Sequence, residues 1–355
     1  MNTNDLISID IVQKAREYDW LLCIFFSVDI EGATAYKSNI RIQSREKDWC
    51  LVFNRFYEDF PNALSSAYFH PSNDQTKGQY QYPTIKIILP ELWKFIGDEI
   101  LFYAPITSPE QTLEHIRAFR KTIINYNKTI LQPNGIQCKG TAWLAGFPVR
   151  NRIVLIDNNP NNKKKKRNKP TAPIIDFIGA SIDTGFRLTK FASPRRLVVS
   201  LDLLWLLAES YDKHSGEDDY AFIKNDIKYA GKHELKGVFS GKSYPIFWIE
   251  SNITEPVEDQ FLPDYKKCDA SNIIRFCKEF SNTLGTSIFP KPFIVGEDNE
   301  GQVKENQVEK DFQQQREALR NYKSQEDLPD DINKMPTSAS GKPAKPRKPI
   351  DRPKT

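Results

Sequence analysis

The sequence predicts an α+β fold: a mostly antiparallel sheet flanked by helices. Three observations predict it. Apolar runs rich in aromatic and aliphatic residues at 21–26 and 244–249, and a run rich in small residues and holding Trp143 at 138–147, read as buried strands. Segments with apolar residues at three- and four-residue steps lie between them, but without the regular alternation of a doubly wound fold. Gly97-Asp98, flanked by apolar residues from 92 to 104, reads as the tight turn of a hairpin.

Leu6, Ile9, Val12 and Ala15 recur at helical spacing, so residues 1–19 are expected to hold a short N-terminal helix. The apolar run at 21–26 then leads to Asp29, and Gly32 marks the bend that follows. A carboxylate at the exit of a buried strand is costly to desolvate unless it is paired or bound to a cation. Trp49, Val52, Phe53, Phe56, Tyr57 and Phe60 line one helical face, and Pro61 is expected to end that helix. Residues 82–89 alternate as a strand does, and Pro90 interrupts them. A helix over 109–126 has Pro109 near its start.

Residues 157–173 form a polar loop with the run Lys163-Lys164-Lys165-Lys166-Arg167-Asn168-Lys169. A strand and helix are expected over 174–192, a strand at 197–200 and a helix from 201. Residues 20–250 are expected to form the main domain and 251–298 an extension packed on it. Glu, Gln and Lys dominate 299–327, a candidate solvated helix. The Pro-, Lys- and Ser-rich tail beyond Pro329 is too poor in apolar residues to offset ordering entropy, so 299–355 is expected to be largely disordered.

The composition excludes several classes. The formal charge of +4 over 355 residues is near balance, which speaks against a dedicated polyanion binder, and charged runs like 163–169 are usually solvated. The cysteines at 23, 50, 138, 268 and 277 are scattered, with no CxxC pair, as in a reducing compartment. No run approaches the roughly 18–20 apolar residues of a membrane span, and no signal sequence opens the chain. A soluble cytoplasmic protein is expected. The four histidines lie far apart and receive no role.

Asp29 and Asp98, each near a glycine at a strand end, are candidate ligands for two divalent cations. Hard oxygen donors favour Mg2+ or Mn2+, and the Ile30 carbonyl is placed to add one. Four ordered phrases over about residues 20–250 resemble the catalytic domain of class III nucleotide cyclases. Phe26-Ser27-Val28-Asp29-Ile30-Glu31-Gly32-Ala33-Thr34 is similar to that family's first metal motif, with one extra residue before the Asp and Ala33 for the usual Phe. Lys94-Phe95-Ile96-Gly97-Asp98 matches its second. The stretch from Asp176 through Gly179 and Asp183 to Arg187 follows the spacing of its third. Leu235-Lys236-Gly237 is similar to its fourth.

The resemblance implies that Asp29, Asp98 and the Ile30 carbonyl hold two Mn2+ or Mg2+ ions. It implies that Lys94 and Asp176 read the base, that Arg187 stabilises charge on the α-phosphoryl group, and that Lys236 or Lys242 binds the β- and γ-phosphates. Asp183 replaces the Asn that orients the ribose, and Gly185-Phe186 replaces a pair of small residues. Metal and base residues come from opposite subunits in this family, so a homodimer with two sites is implied.

The phrases at 141–148, 182–188 and 244–249 look most like the pyrimidine cyclases of bacterial antiphage (Pycsar) systems. They imply UTP (or CTP) as substrate and a separate effector activated by the cyclic product. ATP remains an alternative substrate, and a ligand-sensing, non-catalytic cyclase-like dimer an alternative to catalysis. Tyr57 is the candidate to fill the space left by a purine's second ring; equally it is a core aromatic.

Overall fold

The structure, a computed structural model, describes residues 10–38, 48–71, 80–81, 86–156, 173–213, 220–251, 268–294 and 310–326. In chain order the elements are α1 (Ile11–Arg16), β1 (Leu21–Glu31), α2 (Ala33–Ser38), α3 (Trp49–Ser66), β2 (His70–Pro71), β3 (Tyr80–Gln81), β4 (Glu91–Ile96) and β5 (Glu99–Ile106). Then come α4 (Gln111–Tyr126), β6 (Gln137–Phe147), β7 (Asn151–Ile156), β8 (Ile174–Gly179), α5 (Ala180–Leu188), β9 (Arg196–Val199) and α6 (Leu201–Lys213). The last are α7 (Ala221–Asn225), β10 (Ile227–His233), β11 (Tyr244–Glu250), α8 (Ala270–Leu284) and α9 (Lys310–Glu326).

The main sheet has seven strands in the order β10-β11-β9-β6-β1-β5-β4. The β6–β9 junction is parallel and the other junctions antiparallel, which is the predicted α+β architecture. β1 is continuous in apolar residues because both its faces are covered. Leu22, Ile24, Phe26, Val28 and Ile30 pack against the main helical layer of α3, α4 and α6. Leu21, Cys23 and Phe25 point the other way, toward Trp143, Phe177 and Ile182. That second face is covered by α5 and by β7–β8, a separate antiparallel hairpin. The sheet therefore has a helical face and a hairpin face.

Several expectations need correction. α3 runs straight through Pro61 to Ser66. A proline inside a helix costs about 3 kcal/mol, but Phe60 and Leu64, both buried, are each worth about 1.5–3 kcal/mol in transfer from water. Together these outweigh the lost hydrogen bond. Residues 86–89 are not a strand; Ile87 and Ile88 are buried without ladder partners. Residues 82–85, 157–172 (with the lysine run) and 327–355 lie outside the described residues.

α9 is polar in composition but not solvated all round. Phe312 is buried beside Trp20 and Phe293. Arg316 lies over the Trp20 ring at 5.1 Å and bonds Asp19 at 2.9 Å, and Arg320 bonds the same carboxylate at 2.7 Å. One apolar anchor and two guanidinium forks hold a helix whose average composition gives no sign of it.

Candidate functional site

The strand ends gather the acidic residues. β1 pairs with β5 as far as Asp29↔Glu99, and the Gly97-Asp98 turn that joins β4 to β5 sits just beyond. Gly97 has φ +62°, a left-handed conformation that glycine adopts at little cost. Tyr57 braces this turn, its hydroxyl donating to the Gly97 carbonyl at 2.6 Å. The result sets the Asp98 carboxylate within interaction range of Asp29. Ile30 pairs with Cys138 on β6 but has no register partner on β5, so its backbone on that side adjoins the same turn.

Each aspartate carries a lysine: Lys139 Nζ lies 3.4 Å from Asp29 Oδ2, and Lys37 Nζ 3.3 Å from Asp98 Oδ1. Burial raises the Asp29 pKa; Lys139 opposes this and the nearby Asp98 adds to it. Glu99 is likewise pushed up, first by burial, with Asp29 and Asp98 adding and a hydrogen bond from the Ser27 hydroxyl opposing. Three carboxyl groups thus crowd one strand end, two of them reluctant to ionise.

The donor set fits Mg2+ or Mn2+. These ions keep much of their water and need only one or two protein carboxylates when a phosphate completes the shell. Among the described residues, no group of three or more His, Cys, Asp or Glu side chains is placed to hold a metal on its own. The Asp29–Asp98 pair therefore suits an ion shared with a phosphate, not an all-protein cage.

Lys94 and Asp176 form a second cluster. Lys94 Nζ is 2.7 Å from Asp176 Oδ1, and Trp93 Nε1 donates to the same oxygen at 3.0 Å. Adjacent residues reach one partner because of a bulge: Leu92 opposes Phe102 and Lys94 opposes Leu101, so Trp93 is the extra residue. Burial pushes the Asp176 pKa up, but the bonds from Lys94, the Phe177 N–H and Trp93 prevail and hold it below the usual range. Trp93 was not foreseen from sequence; strand alternation would have placed it opposite Lys94.

Tyr57 is not part of this cluster. α3 covers the helical face of the sheet, where the Tyr57 ring packs edge-on against Phe95 at 5.2 Å. Lys94 opposes Leu101, which belongs to the hairpin face, and Trp93 packs there too. The sheet stands between Tyr57 and the Lys94–Asp176 pair, so this chain's Tyr57 does not shape a pocket around that pair.

The third cluster is built by α5. Gly179 starts it at φ +138°, where an added Cβ would lie 2.5 Å from the Arg150 carbonyl oxygen. Gly185 rests on Trp143, and a Cβ there would meet the indole at 2.2 Å. This explains the Gly185-Phe186 pair: the glycine lets α5 lie flat on the sheet while Phe186 packs beside Trp143. Asp183 is exposed and Arg187 partly so. Arg187 donates to the Asp183 carbonyl at 3.1 Å and to the Lys236 carbonyl. Gly237, at φ +77°, turns the chain at that point. Lys242 is exposed and makes no hydrogen bond or ion pair with the other candidates. No hydrogen bond or ion pair among the described residues joins the Asp29–Asp98 cluster to either of the others.

No family model and no curated protein matches the sequence. Among solved structures, the chain is similar to the adenylyl cyclase CyaB from P. aeruginosa, at 10% identity and a TM-score of 0.42, over 67% of this chain and 97% of that one. It is similar to the guanylyl cyclase Cya2 at 12% identity and a TM-score of 0.40, over 67% and 96%. It is also similar to the guanylate cyclase domain of RhGC from Catenaria anguillulae, solved in complex with GTP, at 15% identity and a TM-score of 0.39, over 65% and 96%. All three are nucleotide cyclases. No helix among the described residues is long and apolar enough to cross a membrane.

Proposed function

We propose that this chain is a homodimeric nucleotide cyclase that converts UTP to 3′,5′-cyclic UMP and pyrophosphate. The observation that carries the reading is the arrangement of the four motif phrases in space. The two aspartates meet at one strand end, Lys94 pairs with Asp176, and Arg187 reaches the Lys236-Gly237 turn. Each of these three groupings brings together residues far apart in sequence, which supports the reading.

In the proposed reaction the ribose 3′-oxygen attacks the α-phosphorus, its proton passes to solvent, and the bond to pyrophosphate breaks. Two divalent ions, when bound, would lower the pKa of the attacking hydroxyl and neutralise the triphosphate. Asp29 and Asp98, with the Ile30 carbonyl, would hold them. Arg187 is a fixed guanidinium, tethered through Nε and one terminal nitrogen, with donors left for a phosphoryl oxygen. Asp183 and Lys236 flank it, with Lys242 on the next turn. Lys94 and Asp176 present one donor and one acceptor to the base.

The absence of any bond between the metal cluster and the other two fits a site completed by a second copy of the chain. Leu92, Phe95 and Ile96 on β4, Ile156 on β7, and Ile174 and Ile178 on β8 are between 44% and 53% exposed, apolar side chains a partner copy could cover. The choice of a pyrimidine, and of a cyclic product that activates an effector in antiphage defence, rests on the phrases at 141–148, 182–188 and 244–249. CTP is the nearest alternative substrate and ATP the next. Incubating purified protein with each of the four nucleoside triphosphates and Mn2+, with cyclic products read by mass spectrometry, tests this. Cyclic UMP as main product, lost in Asp98→Ala, is expected; no cyclic product from any of the four contradicts catalysis.

A further inference from the structure

The two lysines on the aspartate pair have no counterpart in the motif phrases. Lys139 lies on β6 directly across from Asp29, fixed by strand register. Lys37 projects from α2, its ammonium 4.7 Å from the Phe53 ring centre, and reaches Asp98 from the other side. Both are partly shielded, with side-chain exposures of 22% for Lys139 and 33% for Lys37. One ammonium per aspartate pairs both Asp29 and Asp98, while Glu99, bonded by the Ser27 hydroxyl, adds a third carboxyl beside them. A divalent cation approaching the two aspartates meets carboxylates that each already hold an ammonium, at separations where Coulomb repulsion is only partly screened.

We propose that Lys37 and Lys139 are built-in competitors for the metal: they hold the aspartate pair closed to free divalent ions and delay metal loading until a polyphosphate arrives. The inference rests on the reading of Asp29 and Asp98 as metal ligands. A triphosphate supplies the negative charge that lets metal and ammonium groups occupy one site together. Metal binding and nucleotide binding are then coupled through these lysines. The two lysines also offset the mutual repulsion of Asp29, Asp98 and Glu99.

The test is Mn2+ binding without nucleotide, followed by electron paramagnetic resonance of the free ion and by the shift in melting temperature on adding Mn2+. Wild type, Lys139→Met, Lys37→Met, a control Lys121→Met at an exposed position of α4, and Asp98→Asn in the Lys139→Met background are compared. Lys139→Met and Lys37→Met are each expected to bind Mn2+ about fivefold or more tightly than wild type, and to gain more thermal stability from it. Lys121→Met is expected to change nothing in this assay. If Lys139→Met folds poorly, Lys139→Gln keeps the stem and removes the charge.

Unchanged or weaker Mn2+ binding in both lysine variants, with binding still lost on Asp98→Asn, overturns the competitor role alone. Equal tightening by Lys121→Met also overturns it, since the effect would then be general charge. Binding that survives Asp98→Asn overturns the metal reading itself.

Discussion

Two lysine–aspartate pairs lie near the β4–β5 hairpin, and they behave in opposite ways. Lys139–Asp29 spans 3.4 Å and Lys94–Asp176 spans 2.7 Å. Exposure is similar: the Asp29 side chain is 30% and the Asp176 side chain 33% accessible. Yet the Asp29 pKa is raised and the Asp176 pKa lowered. Desolvation raises Asp29 first, with Asp98 adding to it and Lys139 opposing, whereas at Asp176 the bonds from Lys94, the Phe177 N–H and Trp93 outweigh desolvation. A lysine nearby does not satisfy a carboxylate; the balance of like charges and donors does. In the first pair Asp29 sits among other carboxyls, where its lysine is a replaceable partner. The other is already satisfied and suits recognition.

The comparison can be broken most forcefully at the first pair. Asp98→Ala is expected to lower cyclase turnover by about 100-fold or more, as loss of a metal ligand does, read as cyclic product per minute. Asp176→Ala is expected to cost less and to raise KM more than it lowers kcat, because a base contact acts on binding. A result in the reverse order would exchange the two roles.

Next in size is the link between the second pair and Arg187. Gly179→Ala forces a Cβ toward the Arg150 carbonyl at a positive φ. It is expected to destabilise the fold by about 2 kcal/mol or more, a fall of several degrees in melting temperature.

The sharpest contrast is in pH. A carboxyl with a raised folded pKa favours the native state at low pH, and that contribution is lost as pH rises through the folded value. Asp29 is of this kind, so Asp29→Asn is expected to raise the melting temperature of metal-free protein at neutral pH, with no gain in acid. Asp176 is the reverse: its contribution is present above the unfolded pKa and lost as pH falls through the lowered one. Asp176→Asn is therefore expected to lower the melting temperature at neutral pH and to have little effect in acid. The smallest expected effect is Lys94→Met on stability, within about 1 kcal/mol for a partly exposed pair; equal denaturation midpoints would agree with it.

The Gly97-Asp98 hairpin is legible in the sequence because a glycine turn between apolar runs is a local signal; the convergence of Asp29 with Asp98 depends on the β1–β5 register and is implied by the family resemblance. The lysines were hidden. Lys139 meets Asp29 only through the β1–β6 register, which local pattern does not encode. Trp93 was hidden by a bulge that overrides strand alternation. Tyr57 shows a different limit: periodicity reveals a helix's apolar stripe, but not which face of the sheet it will cover. β7, β10 and α8 went unread because their apolar residues are few or mixed with Lys, Arg and Asn, and their burial comes from neighbours. Pro61 reads as a helix stop because its local cost is plain in the sequence, while the packing of Leu64 is not.

The most direct test of a shared, two-part site is complementation between inactive chains. Asp98→Ala and Arg187→Ala are each expected to be inactive alone with UTP and Mn2+. Co-refolded in equal amounts, half of the dimers pair the two chains, and each such dimer has one of its sites intact. Recovery of about a quarter of wild-type cyclic UMP formation is the predicted result. A mixture as inactive as its parts, with mixed dimers shown by tagged pull-down, would contradict an active site divided between two chains.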